Sequence, residues 1–180
     1  RIFKTMNECP QHEFQVLTKR ADRLEKLSSN IKWTDNIWMG VSVEDKSSIY
    51  RCEKLKKCGA KIKFVSAEPL LESIKDINLN GIDWLIVGGE SGHNNRELKE
   101  EWVVELRDKA RETKTAFFFT LRAKAVPRSE NCGCPEPFPR RFRNGFYRTT
   151  THFPEKTPPF YLIALTFVQQ SDILIARIVV

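Results

Sequence analysis

The chain has 180 residues and a formal net charge of +7, with 41% hydrophobic and 29% charged residues. This composition is ordinary for a soluble globular domain with a sizeable core. It excludes a membrane-spanning class, because no apolar run reaches the roughly 18 residues that a transmembrane helix needs. The N-terminus lacks the apolar core of a signal peptide. Five scattered cysteines, an odd number, suit a reducing compartment, so we expect a cytoplasmic protein.

Five apolar runs rich in β-branched and aromatic residues recur along the first 120 residues. In chain order they are FQVLT (14–18), IWMGVSV (37–43), IKFVSA (62–67), WLIVGG (84–89) and AFFFT (116–120). Polar stretches with helical spacing follow the first, second and fourth runs. Strands that alternate with helices predict an α/β fold with a parallel sheet. The spacing alone fits both an open doubly wound sheet and a β/α barrel.

The character of the sequence changes near residue 121. Residues 121–180 hold 9 Lys+Arg against 4 Asp+Glu, whereas residues 1–120 hold 21 against 19. The segment 122–159 contains seven of the nine prolines and has no sustained period. We therefore predict a domain at 1–120 and an irregular, basic, proline-rich tail at 121–180. The basic charge of that tail favours contact with nucleic-acid phosphates or with a partner protein.

Polar residues follow four consecutive runs. Parallel strands bring their carboxyl ends to one edge of a sheet, where α/β proteins collect their reactive groups. We therefore expect one shared rim on which the side chains and backbone can hold a cofactor or substrate. The candidate binding residues are Lys19, Arg20, Glu44, Glu68, Gly88, Gly89, Glu90 and Ser91.

Each group on this rim also has a purely structural explanation. Lys19 and Arg20 could simply begin a solvated helix, and Glu44 with Asp45 could cap the next helix. A glutamate before Pro69 could start a helix, and the glycines could only form a tight turn. Similar chemistry at four consecutive strand ends favours the binding interpretation over these explanations.

Five motifs, in this order and at these distances, resemble a bacterial and phage protein family of unknown function whose full-length members are radical-SAM-like. The motifs are HEFQVLTKR, NIWMGVSVED, KIKFVSAEPLL, DWLIVGGESG and AFFF, within residues 1–119. The resemblance implies a partial (β/α) barrel. It also implies that full-length members hold a [4Fe–4S] cluster with S-adenosylmethionine on three closely spaced cysteines.

This chain departs from the family pattern in two places. It has no cysteine triplet, so we expect no cofactor in this chain and place the cluster-binding segment outside it. After Phe119 the family continues with a lysine, a glutamine and a tryptophan–glycine pair, but here Thr120, Leu121 and Arg122 follow. We expect the residues beyond to be unrelated to the family, as an out-of-frame tail would be.

Two functions follow from these expectations. The first is an incomplete radical-SAM-like phage-type protein of unknown reaction that is not catalytically competent as this chain. The second is a non-catalytic module that binds a nucleotide, a nucleic acid or a protein. In both, Glu90 and Ser91 hold the polar end of a ligand, the glutamates at 44 and 68 orient it, and the basic pair at 19 and 20 binds an anion. A half-barrel also leaves a strand edge open near residues 14–18, which predicts self-association.

Overall fold

The computed structural model describes residues 1–92, 94–120, 146–148, 168–170 and 173–178. Within that part of the chain, strands and helices alternate as the sequence predicts. The α-helices are α1 (Ile2–Asn7), α2 (Ala21–Leu27), α3 (Tyr50–Lys56) and α4 (Glu100–Glu112). The strands are β1 (Glu13–Thr18), β2 (Ile37–Ser42), β3 (Ile62–Ala67), β4 (Trp84–Gly88), β5 (Ala116–Thr120), β6 (Phe146–Arg148), β7 (Val168–Gln170) and β8 (Ile173–Ile178).

The eight strands of the described residues form one sheet, in the order β6-β5-β4-β3-β2-β1-β8-β7. Strands β1 to β5 are parallel, and each one pairs with its neighbour in the chain. Strands β6 and β8 pair antiparallel with β5 and β1, and β7 pairs antiparallel with β8. The five parallel strands therefore occupy the centre of an open α/β sheet.

The helices α2, α3 and α4 cover the same face of this sheet. One core cluster joins their buried side chains to alternate residues of the parallel strands. From the helices it includes Leu24, Leu55 and Leu106, and from the strands Val16, Val41, Val65 and Val87. Burial of apolar side chains between the two layers is the main source of stability for such an arrangement.

The other face of the sheet carries a second, mostly aromatic cluster. Trp38, Phe64, Trp84 and Ala116 form it, with four partly buried neighbours, namely Leu17, Ile62, Ile86 and Phe118. A doubly wound sheet reverses its strand order and has helices on both faces. Here the order is consecutive and the three helices share one face, which is the arrangement of a β/α barrel. The prediction of a partial barrel is confirmed.

The edge of β1, predicted to be open, is occupied. The antiparallel strand β8 pairs with it along its whole length, from Glu13 opposite Ile178 to Thr18 opposite Ile173. The expectation of an open edge there is wrong, because a late apolar segment of the chain adds to the sheet. The structure thus places three strands within 121–180, and the rest of the predicted tail lies outside the described residues.

The connection between β3 and β4 contains turns rather than a helix. It still contributes to the core, since Leu70, Ile74, Ile77, Leu79 and Ile82 are each at most 4% exposed. Among the described residues, none of the helices combines the length and the apolar character that a membrane crossing requires.

Candidate functional site

The candidate site lies where the face away from the helices meets the carboxyl ends of the parallel strands. Side chains alternate between the two faces of a strand, so residues two apart share a face. Ser42 and Glu44 therefore lie on the same face as Trp38, at the end of β2. Ser66 and Glu68 lie on that face too, in line with Phe64 at the end of β3. The registers align Ser42 with Ser66, Ser66 with Ile86, and Gly88 with Thr120. We call this end of the sheet face the mouth.

Glu68 lies at the centre of the mouth and is held by two hydroxyl groups. Thr120 Oγ1 donates a hydrogen bond to Glu68 Oε1, and Ser66 Oγ donates to Glu68 Oε2 at 3.2 Å. The two donors belong to β3 and β5, which lie on either side of β4. Glu68 therefore has a fixed orientation across three strands.

Gly88 provides the space in which this contact forms. It is buried at the end of β4, between β3 and β5. A Cβ atom at this position would collide with the hydroxyl of Thr120 and the carboxylate of Glu68. The glycine is needed for close approach, so the explanation of a mere tight turn does not cover it.

Lys19 and Glu44 form an ion pair on the β1 side of the mouth. Lys19 Nζ lies 2.5 Å from Glu44 Oε1. The lysine side chain is 58% exposed whereas the glutamate side chain is 16% exposed, so the cation faces solvent above a largely buried carboxylate. The backbone of Glu44 is also tied down, because its carbonyl accepts a hydrogen bond from the N–H of Leu71 at 2.9 Å.

Glu90 and Arg96 form a two-pronged ion pair on the β4 side. Arg96 Nη2 and Nε lie 2.7 and 2.9 Å from the two carboxylate oxygens of Glu90, and the Arg96 backbone N–H donates to Oε2 at 3.0 Å. The side-chain hydrogen bonds, followed by the backbone one, lower the pKa of Glu90 to about 2. The bonds to Glu90 raise the pKa of Arg96, and the charge of Glu44 adds to that effect. Glu44 is therefore within electrostatic range of Arg96, which links the two ion pairs.

The remaining predicted residues lie at the edge of the mouth. Arg20 is the residue before α2, and its backbone N–H donates to Thr18 Oγ1 at 3.0 Å. Gly89 is half-buried, and Ser91 is exposed next to Gly92, whose φ of +129° favours glycine. The structure thus brings Lys19, Glu44, Glu68 and Glu90 to one end of the sheet, as the sequence predicts.

Neither Glu44 nor Glu68 has the helix-capping or helix-starting role that a purely structural explanation would give it. Asp45 is the residue that caps, since its side chain accepts from the Ser48 backbone N–H at 2.9 Å and completes a capping box on the 3₁₀ turn Lys46–Ser48. Glu44 does not share that role. No helix starts at Glu68, because the residues after it form turns.

Sequence reasoning missed three side chains of the mouth: Ser66, Thr120 and Arg96. The sequence did contain a signal for Ser66. The pattern V-S-x-E occurs twice, at the end of β2 (VSVE, 41–44) and at the end of β3 (VSAE, 65–68). A repeated serine two residues before a glutamate places both on the same strand face. The sequence around Arg96 contains no comparable pattern. Its pairing with Glu90 depends on the conformation of the loop between β4 and α4, which the sequence does not reveal.

The described cysteines do not fit an iron–sulfur cluster. Cys52 and Cys58 are buried in the core on the helix side of the sheet, away from the mouth. Burial raises the pKa of Cys52 to about 11 and also raises that of Cys58, which disfavours the thiolate that a cluster needs. Cys9 precedes β1 and so lies at the opposite end of the sheet. In the described part of the chain, no group of three or more His, Cys, Asp or Glu side chains is arranged to hold a metal ion.

Comparison with known proteins identifies a family but no characterised relative. No curated protein and no solved structure matches the chain. A family model described as a protein of unknown function (DUF5131) matches residues 1–142. The match extends past residue 119, so the expectation that the sequence beyond it is unrelated to the family is wrong for residues up to 142. The chain belongs to the DUF5131 family of proteins of unknown function.

Proposed function

We propose that the mouth binds a small ligand that carries both an ammonium and a carboxylate group, as S-adenosylmethionine does. The chain would then be the ligand-binding part of a radical-SAM-like protein of the phage type. The observation that carries the proposal is the fixed orientation of Glu68 by Ser66 and Thr120, between the ion pair of Lys19 with Glu44 and that of Arg96 with Glu90.

Glu68 is the residue best suited to receive the ammonium group. A carboxylate oxygen can accept about two hydrogen bonds. Each oxygen of Glu68 takes one from a hydroxyl, which leaves acceptor capacity on both. Because the two hydroxyls already fix the side chain, little conformational entropy remains to be lost when a ligand binds.

Cationic groups and backbone donors around the mouth suit the carboxylate of the same ligand. Lys19 and Arg96 have side chains that are 58% and 61% exposed, and both are held at the mouth by a glutamate. Arg20 lies next to Lys19 in the chain. Gly89 and Ser91 would supply a backbone N–H and a hydroxyl on the β4 side, where a glycine lets a ligand come close.

The proposal is for binding, and we derive no catalytic step from it. The cysteines described above do not fit a [4Fe–4S] cluster, so none of these residues is assigned a role in radical chemistry. In the proposed function the protein's own contribution is to bind and orient the ligand through charge and hydrogen bonds.

Calorimetric titration with S-adenosylmethionine and with methionine tests the proposal. Removing the charge with Glu68→Gln should weaken binding of both about 10- to 100-fold, the typical value of a hydrogen bond to a charged group. Glu13→Gln is the matched control, because Glu13 belongs to the same face of the sheet at the opposite end of β1. It should leave the affinity within about twofold. The absence of binding at millimolar ligand, or equal losses in both variants, would contradict the proposal.

A further inference from the structure

The pattern V-S-x-E ends both β2 and β3, but its serine hydroxyl is bonded to the glutamate in only one of the two strands. In β3, Ser66 Oγ donates to Glu68 Oε2 at 3.2 Å. In β2, the Ser42 side chain makes no hydrogen bond to another of the described residues, although Ser42 is only 5% exposed. Largely buried hydroxyl groups normally have a partner, so the Ser42 hydroxyl calls for an explanation.

The glutamate of the β2 pattern, Glu44, faces cations instead of its own serine. Its Oε1 accepts from Lys19 Nζ at 2.5 Å. The hydrogen bonds to Glu90, and after them the charge of Glu44, raise the pKa of Arg96, so Glu44 also acts on that second cation. The Glu44 carboxylate therefore lies where the proposed function places the carboxylate of the ligand.

Glu44 can leave this place by rotating its side chain alone. Its backbone is held, because its N–H donates to Ser48 Oγ at 3.0 Å and its carbonyl accepts from the N–H of Leu71. Ser42 lies two residues earlier on the same face of the sheet, which is the spacing of the bonded pair in β3. An ion pair with an exposed cation such as Lys19 contributes little to stability, so a ligand can displace it.

We propose that Glu44 occupies the anion site of the mouth in the free protein and that the ligand's carboxylate displaces it onto Ser42. This inference rests on the proposed function. The ligand's carboxylate takes over Lys19, and the Ser42 hydroxyl donates to the released Glu44 carboxylate. Without that hydroxyl, a side chain that is only 16% exposed would lose its partner beside a second negative charge, and both effects disfavour binding. Ser42 is thus a positioning residue that acts through Glu44.

Calorimetric titration with methionine and methioninamide tests the displacement. Methioninamide lacks the carboxylate, and at about pH 6 both compounds carry a protonated amino group. Glu44→Gln should raise the ratio of the methionine affinity to the methioninamide affinity about fivefold, because Lys19 no longer has an internal anionic partner. If Glu44 only holds Lys19 in position, the ratio should stay the same or fall, and either result would overturn the proposal.

A second substitution tests the role of Ser42 through its coupling to Glu44. Ser42→Ala should weaken methionine binding about fivefold in the wild-type background. The same change should have no effect on methionine binding in the Glu44→Gln background, because no carboxylate is then displaced. Equal losses in the two backgrounds would mean that Ser42 does not act through Glu44, which contradicts the proposal.

The melting temperatures of two serine variants test whether the Ser42 hydroxyl is free before a ligand binds. Ser66→Ala is the matched control, since it changes the same position of the same pattern and removes a donor from Glu68. It should melt below the wild type, whereas Ser42→Ala should melt at the wild-type temperature. If Ser42→Ala melts as low as Ser66→Ala, the Ser42 hydroxyl is already bonded in the free protein and the proposal is wrong.

Failure of this inference and failure of the proposed function give different results. If methionine does not bind to the wild type at millimolar concentration, both are contradicted. If methionine binds and Glu68→Gln weakens it, but Glu44→Gln does not raise its ratio to methioninamide, ligand binding at the mouth stands. That result would overturn only the displacement of Glu44 onto Ser42.

Discussion

Gly88 shows how one residue fixes the geometry of the mouth. Its missing Cβ is the space that the Glu68 carboxylate and the Thr120 hydroxyl occupy. Sequence reasoning identified the glycine as a place where backbone approaches a ligand, but the structure shows that two side chains of the protein itself approach it. The neighbours of a strand residue depend on register, which the sequence of one strand does not reveal.

Replacing this glycine should strain the mouth. Gly88→Ala forces the Glu68 carboxylate and Thr120 apart, and overpacking of this kind costs about 1–3 kcal/mol of unfolding free energy. Urea denaturation measures the loss. The double variant with Thr120→Ala removes the hydroxyl that the new methyl group meets, so it should be more stable than the sum of the two single changes predicts. Strict additivity would count against the contact.

The ion pair of Glu90 and Arg96 gives a prediction about pH. The hydrogen bonds from Arg96 lower the pKa of Glu90 from the ordinary 4.5 to about 2. The pKa of Glu90 is lower in the folded state than in the unfolded state. The ion pair therefore contributes its full share of the unfolding free energy above about pH 4.5, and this contribution is lost as the pH falls towards 2. Carbon-13 titration of the Glu90 carboxyl group should therefore give a low midpoint in the wild type and one near 4.5 in Arg96→Gln.

A second arginine provides the control for that titration. Arg111 is exposed in the last turn of α4, and Arg111→Gln should leave the Glu90 midpoint unchanged. A wild-type Glu90 that titrates near its ordinary value would show that the pair with Arg96 does not form in solution.

At the scale of elements, the capping box on Lys46–Ser48 separates two neighbouring acids. Asp45 caps the turn while Glu44 pairs with Lys19. Asp45→Ala should lower the unfolding free energy by about 1 kcal/mol, the usual value of a capping side chain, whereas Asp45→Asn should retain most of it. Thermal or urea denaturation of the two variants checks this. Equal stability of Asp45→Ala and the wild type would mean that the cap contributes nothing.

The five parallel strands could be predicted from the sequence almost to the residue. Each central strand is buried on both faces, so it shows as a continuous apolar run between polar stretches. Burial on both faces also removes the alternation of apolar and polar residues, so the sequence does not indicate which face of the sheet each side chain occupies until the strand ends. The turns between β3 and β4 bury isoleucines and leucines without a helix, so this part of the core has no regular apolar period by which the sequence could reveal it.

Strand β8 shows a further limit of sequence reasoning at this scale. An apolar segment late in the chain is compatible with a strand or a helix, and nothing in its own residues specifies which edge it joins. Its pairing with β1 covers the edge that a half-barrel would leave open. Self-association through a surface other than the edge of β1 stays a prediction, and size-exclusion measurements can check it.

At the scale of the whole molecule, chain order explains why the rim residues meet. Consecutive parallel strands with their helices on one face place every carboxyl end at the same edge. The choice between barrel and doubly wound sheet needed the side on which each helix packs, and strand spacing does not carry that information. The convergence of Lys19, Glu44, Glu68 and Glu90 was predictable because it depends on strand direction alone.

The most direct test of ligand binding at the mouth is a map of backbone amide signals during titration with S-adenosylmethionine. Signals from the ends of β1, β2, β3 and β4, at residues 19, 44, 68 and 90, should move together and fit one dissociation constant, while those at the other end of the sheet stay in place. Shifts that begin elsewhere, or that fit different constants at the four strand ends, would contradict a shared binding mouth.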